Sequence, residues 1–168
     1  DVPLTIAVAR YYGDDYVAIA EGAKVDVLIG TVPGASQEVT TLRPFAKLTL
    51  DAPVTALSFS PKGEYMLAQA GAQFASYEIE HQRNSNQTIT VDEGQAAPQL
   101  VWLDAAHVWN NANGSVTMRD FNGLNVHAIM KAEPGYSASL SQNGRYFYSI
   151  GKAEDGRYQL QRVKMILN

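Results

Sequence analysis

Apolar and polar residues alternate along most of the chain, and no window shows the 3.6-residue period of an amphipathic helix. One stretch shows the alternation clearly, because Val25, Val27 and Ile29 fall on one face while Asp26 and Leu28 fall on the other. The alternating segments are short and rich in Val, Ile, Tyr, Phe and Thr, which are residues that favour strands. The pattern therefore predicts an all-β fold of short antiparallel strands.

The alternating segments recur four times in one order. Each unit begins with a proline, a β-rich stretch and a polar turn, resumes at an aromatic or histidine anchor, and reaches a glycine turn before a further β-rich stretch. The prolines are Pro3, Pro53, Pro98 and Pro134, the anchors are Tyr16, Tyr65, His107 and Tyr146, and the glycines are Gly22, Gly71, Gly114 and Gly151. This order predicts a repeat of roughly 40 residues.

Each unit is predicted to contain a first, a second and a third strand, and three units a fourth. The predicted first strands are 5–12, 55–60, 100–105 and 136–141, the third strands are 24–29, 73–80, 115–121 and 157–167, and the fourth strands are 45–50, 87–91 and 125–130. The turn after the first strand contains Gly13, Gly63 or Gly144 in three units, whereas Asp104 with two alanines gives the weakest turn signal. We expect one domain, 1–168, with units at about 1–50, 51–95, 96–132 and 133–168.

Two turns and one strand end resemble a known repeat family. The turns SPKGEYMLA (60–68) and SQNGRYFYS (141–149) look like the S-P-D-G-x-x-L/I-A turn of WD40-like and TolB-like propeller blades. The segment SVTMRDFNG (115–123) resembles the end of the third strand of a WD repeat, with Arg119 and Asp120 where many members carry Trp-Asp. The resemblance covers nearly the whole chain and implies four consecutive β-propeller blades. A β-sandwich or a solenoid is the alternative architecture.

The two ends of the repeat pattern differ. The chain begins at Asp1 without a methionine, and the fourth unit ends on its third strand. We therefore expect a partial propeller, or arc, that is a processed or excised piece of a longer protein, and a closed four-bladed form is the alternative. The unpaired final strand would offer lateral pairing to another strand.

The amino-acid composition limits the kinds of partner that the chain could bind. The net charge of −4 and the lack of a Lys/Arg cluster argue against nucleic-acid binding. No apolar run approaches the roughly 18 residues that span a bilayer, so no direct membrane insertion of this segment is expected. The absence of cysteine excludes disulfides and thiolate metal sites, and it favours an extracytoplasmic or secreted bacterial setting.

Sequence motifs of catalysis are missing. The chain has no phosphate-binding loop, no zinc-binding helix motif and no calcium loop, so we predict no catalytic residue, no metal and no cofactor. Four carboxylates near predicted strand ends, Asp104, Asp120, Glu154 and Asp155, keep a propeller-type hydrolase or lyase open as an alternative.

The sequence is more typical of a non-catalytic interaction or scaffold module, which would bind a protein partner through the loops at one end of the sheets. The loops between the second and third strands and those between units should share that end, and one of them is the polar run 110–114. The candidate partner-binding residues are Asn110, Asn111, Asn113, Arg119, Asp120 and Tyr136. A structural fragment that completes a larger propeller or an envelope assembly is the nearest alternative.

Overall fold

A computed structural model describes residues 3–32, 34 and 41–165, and these residues form strands and no helix. The strands are β1 (Leu4–Tyr11), β2 (Asp14–Glu21), β3 (Lys24–Gly30), β4 (Arg43–Thr49), β5 (Ala56–Phe59), β6 (Tyr65–Ala70), β7 (Gln73–Glu78), β8 (Arg83–Thr88), β9 (Val101–Trp102), β10 (His107–Ala112), β11 (Ser115–Asp120), β12 (His127–Lys131), β13 (Ser139–Leu140), β14 (Tyr146–Lys152) and β15 (Tyr158–Lys164). The all-β prediction is confirmed.

The strands form four antiparallel sheets in chain order. Sheet 1 holds β1 to β4, sheet 2 holds β5 to β8, sheet 3 holds β9 to β12, and sheet 4 holds β13 to β15. In each sheet, every strand pairs with the strand that follows it. The predicted series of four blade-like units is therefore confirmed, and the fourth unit has three strands in the described part of the chain.

This up-and-down order decides where the turns lie. Turns after the first and third strands of a sheet lie at one end, while turns after the second strand and the connections between sheets lie at the other. We call the second end the loop face. It carries the turns 22–23, 71–72, 113–114 and 153–157 and the connections 50–55, 89–100 and 132–138.

The sheets stack through three apolar cores. Neighbouring residues on one strand serve different cores, because successive side chains of a strand point to opposite faces. Met66 packs between sheets 1 and 2, and Leu67 packs between sheets 2 and 3. Likewise Val108 packs towards sheet 2, and Trp109 packs towards Phe147 of sheet 4. The two middle sheets therefore bury both faces, as blades do in a stack.

The stack does not close into a ring in the described part of the chain. The outer face of sheet 1 carries Leu4, Ile6 and Val8, which are 60%, 58% and 58% exposed. The outer face of sheet 4 carries Tyr158 and Leu160, which are 56% and 69% exposed. Both terminal sheets thus present an apolar face that no other described sheet covers.

Some strand bounds differ from the sequence prediction. The fourth strand of unit 2 is Arg83–Thr88 and not 87–91, because its ladder with β7 joins Glu78 to Arg83 and Gln73 to Thr88. Ile89 and Val91, which suggested the later strand, instead pack in the core between sheets 2 and 3. The predicted third strand at 157–167 ends at Lys164 in the described residues, and Ile166 and Leu167 lie outside them.

The first strands of units 3 and 4 contain two residues each, fewer than predicted. In unit 3 the Asp104 side chain forms the turn that follows. Its Oδ1 accepts hydrogen bonds from the backbone N–H groups of Ala106 at 2.8 Å and His107 at 2.9 Å. The turn that looked weakest in sequence is therefore held by its aspartate, as in an Asx-turn.

Candidate functional site

Three chain segments meet on the loop face beside sheet 3. They are the connection from sheet 2, the turn at 113–114, and the connection to sheet 4. Together they line a cleft of about 210 Å³, whose walls include Asp92, Gln95, Asn113 and Gly135. Loops held by a rigid sheet scaffold are a common location for binding sites.

Asn113 fixes one wall of this cleft. Its Nδ2 donates to the carbonyl of Thr90 at 3.0 Å, and its Oδ1 accepts from the backbone N–H of Asp92 at 3.0 Å. Its φ of 52° lies in the left-handed region that asparagine tolerates, and Gly114 follows with a φ of 70°. The residue therefore joins the turn of sheet 3 to the connection that enters the same sheet.

Asn111 and Gln69 make equivalent bridges. Each lies four residues after the anchor that begins the second strand of its sheet. The Asn111 Nδ2 donates to the carbonyl of Tyr136 at 2.8 Å, and the Gln69 Nε2 donates to the carbonyl of Pro98 at 2.7 Å. In both cases a side-chain amide fastens a sheet to the connection that leads into the next sheet.

Tyr136 lies beside a second depression, of about 410 Å³, on the loop face. The residues that line it are uncharged and include Gln99, Trp109 and Asn111. Trp109 is buried, and its indole N–H finds no acceptor in the described residues. The side chain of Gln99 is exposed, as is that of Gln95 in the first cleft, and neither makes a hydrogen bond within the described part of the chain. The exposed ring of Tyr136 and the amide of Gln99 are therefore free here for a ligand.

Asn110 and Arg119 lie elsewhere, between sheets 2 and 3. Asn110 is 1% exposed, and its Oδ1 accepts from Thr117 Oγ1 at 3.1 Å and from Arg119 Nη2 at 3.0 Å. Arg119 is 8% exposed, and burial lowers the pKa of its guanidinium. Alternation separates the pair from Asn111, since residues 110 and 111 point to opposite faces of sheet 3.

Asp120 lies at the opposite end of β11 from the loop face. Its Oδ2 accepts from Asn125 Nδ2 at 2.7 Å, and its Oδ1 is 3.6 Å from the Nε2 of His107. The His107 Nδ1 is 2.9 Å from the carboxylate of Asp104. Burial acts to raise the pKa of Asp104, but hydrogen bonds from Ala106 and His107 outweigh it, and the pKa lies below its ordinary value.

The structure thus brings together three of the six candidate residues, Asn111, Asn113 and Tyr136. The polar run 110–114 is less of a loop than predicted, because β10 continues to Ala112 and the turn proper is at 113–114. Sequence reasoning missed Gln69, Gln95 and Gln99. The four-residue offset of Gln69 from its anchor, which matches that of Asn111, is the signal that could have found it.

No protein-family model matches the chain, and no curated protein sequence matches it. The described residues form an all-β protein of four stacked, blade-like antiparallel sheets. Within residues 3–32, 34 and 41–165, no group of three or more His, Asp or Glu side chains is placed to hold a metal ion. The same residues contain no helix with the length and apolar character needed to cross a membrane.

Proposed function

We propose that the chain is a non-catalytic interaction module of β-propeller type, related in architecture to WD40-like and TolB-like propellers, which binds a protein partner through its loop face. The uncharged depression beside Tyr136 carries this proposal. Exposed tyrosines at the rim of a rigid scaffold are favoured contact residues, because they bury much area at little cost in conformational entropy.

The groups around the depression define the partner chemistry. The free amide of Gln99 can donate to a peptide carbonyl or accept from a peptide N–H. With no charged side chain among the lining residues, an extended and uncharged segment of a partner protein fits best.

The test is binding of the chain to an addressed array of short random peptides. We expect the chain to select uncharged sequences and Tyr136→Ala to bind them at least about tenfold more weakly, as for an interface hot spot. Tyr12→Ala is the matched control, because Tyr12 is also exposed but lies in the turn after β1, at the end opposite the loop face. Equal binding by the chain and Tyr136→Ala, or selection of charged peptides, would contradict the proposal.

A second function is favoured by the two apolar outer faces. We propose that each outer face packs against a further antiparallel sheet, so that the chain forms part of a larger propeller or envelope assembly. The three cores already present show how such a contact is made, since each is formed by side chains that alternate along facing strands. The exposed edge of β15, which pairs with β14 in the described residues, would add strand pairing.

In a sample of the isolated chain, a second copy is the available source of a further sheet. Sedimentation velocity should therefore show association that rises with concentration, and Ile6→Lys combined with Leu160→Lys should abolish it. Leu124→Lys is the control, because Leu124 is also exposed but precedes β12, away from both outer faces. A chain that stays monomeric at every concentration would contradict this second function.

A further inference from the structure

A cleft with both polar and apolar walls separates the outer parts of sheets 2 and 3. Its volume is about 350 Å³, and it lies apart from the loop-face depression beside Tyr136. One wall comes from the end of β8 and the residues after it, including Ile89, and the other from β10 and β11, including Asn110 and Arg119. The guanidinium of Arg119 is therefore a positive charge that lies between two packed sheets.

Arg119 has no counter-charge there. No ion pair within the described residues joins its guanidinium to a carboxylate, and its buried Nε makes no hydrogen bond in that part of the chain. A guanidinium keeps its charge in a protein even where burial lowers its pKa. A buried charge without a partner is costly, so a group that supplies the missing negative charge would be bound favourably.

The residues around Arg119 cannot supply that charge. The neutral amide of Asn110 accepts one hydrogen bond from Arg119 and one from Thr117. Both lone pairs of its Oδ1 are thereby used, and no formal charge is compensated. The Nη1 group makes no hydrogen bond in the described residues and is not one of their fully buried atoms, so it is free to donate to an oxyanion in the cleft.

The cleft wall also indicates the shape of the anion. Ile89, Ala112 and Val126 contribute apolar surface to it. A single guanidinium balances one negative charge, and its flat pair of donors matches the two oxygens of a carboxylate. A short aliphatic stem would pack against the apolar residues while the carboxylate contacts Arg119. An inorganic phosphate, with more charge and no stem, fits less well.

We propose that the cleft between sheets 2 and 3 is a binding site for a small aliphatic carboxylate, with Arg119 as the anion-binding residue and Asn110 as the residue that positions it. The two residues that carry the proposal, Arg119 and Asn110, line neither the depression beside Tyr136 nor the outer faces.

The direct test follows the side-chain Nε–Hε resonance of Arg119 by NMR while butyrate is added to the full chain. We expect a saturable shift of this resonance and no comparable shift for Arg145, an exposed arginine in the turn before β14. Inorganic phosphate, titrated at the same ionic strength, should shift the Arg119 resonance at least about tenfold less effectively. An Arg119 resonance that does not respond to butyrate, or responds equally to phosphate, would overturn the proposal.

Variants supply a second readout that does not depend on assigning the resonance. Butyrate should raise the melting temperature of the chain and of Arg145→Met, but not that of Arg119→Met, which keeps an unbranched apolar stem and removes the charged end of the side chain. The Arg119→Met chain without butyrate should melt no lower than the parent, because an uncompensated buried charge has been removed. If butyrate stabilises Arg119→Met as strongly as the parent chain, the carboxylate does not bind at Arg119. If Arg119→Met fails to fold, Arg119 is a structural residue and the titration of the unmodified chain decides alone.

Discussion

The side chain of Gln69 should contribute more to stability than its polar character suggests. It is 4% exposed and makes three hydrogen bonds at the junction of sheets 2 and 3. Its Nε2 donates to the carbonyls of Gly71 at 2.8 Å and Pro98 at 2.7 Å, and its Oε1 accepts from the buried N–H of Leu100 at 2.9 Å. Gln69→Leu keeps a similar volume and removes all three bonds at once.

The expected loss follows from those bonds. Each net hydrogen bond contributes about 1 kcal/mol, and a buried N–H left unpaired costs about 1–3 kcal/mol. The added apolar surface of leucine offsets part of this, so we expect Gln69→Leu to lower the free energy of unfolding by about 3 kcal/mol. With a denaturant slope of about 2 kcal/mol/M, the urea midpoint would fall by about 1.5 M.

Gln73→Leu is the matched control. Gln73 also uses both ends of its amide, since its Oε1 accepts from the N–H of Asp51 at 2.8 Å and its Nε2 donates to the Asp51 carboxylate at 3.0 Å. These bonds are exposed, so water can replace them, and the loss should be below about 1 kcal/mol. Equilibrium urea unfolding, followed by the fluorescence of Trp102 and Trp109, measures both variants. Equal losses within about 0.5 kcal/mol would refute the reasoning.

Three further predictions concern the turns and the cores. Gly123→Ala should lower the free energy of unfolding by about 2–3 kcal/mol, because φ is +85° and the new Cβ would lie 2.6 Å from its nearest side-chain atom. Gly22→Ala should lower it by about 1 kcal/mol, because φ is +57° there and the new Cβ would meet no other atom. Phe147→Ala should lower the free energy of unfolding by about 3–5 kcal/mol, because the ring is fully buried and contacts Trp109 edge to face, with 4.9 Å between the ring centroids. The pKa of Asp104 is lowered in the folded state, so the stabilisation that its carboxylate provides is complete above the unfolded pKa of about 3.9 and is lost as pH falls through the folded pKa. In Asp104→Asn the free energy of unfolding should therefore fall less steeply towards low pH.

Each of these has an outcome that would contradict it in urea unfolding. Equal losses of unfolding free energy for Gly123→Ala and Gly22→Ala would show that the atoms around Gly123 move aside without cost. A loss for Phe147→Ala no greater than for Val101→Ala, whose side chain is partly exposed on β9, would show that the core between sheets 3 and 4 is not packed as described. A stability difference between the parent and Asp104→Asn that does not change between pH 5 and pH 3 would exclude the carboxylate as the titrating group.

Much of the fold could be predicted from sequence because its determinants are local. Strand alternation, the positive-φ residues Gly63 and Gly144 in turns, and the recurring anchors are all properties of short segments. The outer strand β8 could not be placed, because an exposed edge strand has no hydrophobic pattern and its position is set by the ladder with β7.

The candidate site was predicted in part for the same reason. Asn111, Asn113 and Tyr136 lie at a strand end, in a turn and in a connection, and the up-and-down order places these at one end of the sheets. The polar run 110–114 did not reveal that Asn110 faces sheet 2 and binds Arg119. Such a buried contact depends on which sheet packs on which face, and the local pattern does not encode that.

The four sheets form an open stack in the described part of the chain, and one distance tests this arrangement most directly. The chain contains no cysteine, so spin labels can be attached at Lys24→Cys on β3 of sheet 1 and Lys152→Cys on β14 of sheet 4. Both positions lie on the outer faces, near the loop-face end. Double electron–electron resonance, with labelled chains diluted in unlabelled chain, measures the separation within one molecule. The open stack predicts a separation well beyond the roughly 10 Å between packed sheets. Dipolar broadening of the continuous-wave spectrum, which reports labels too close for double electron–electron resonance, would show a closed four-sheet ring and contradict the account.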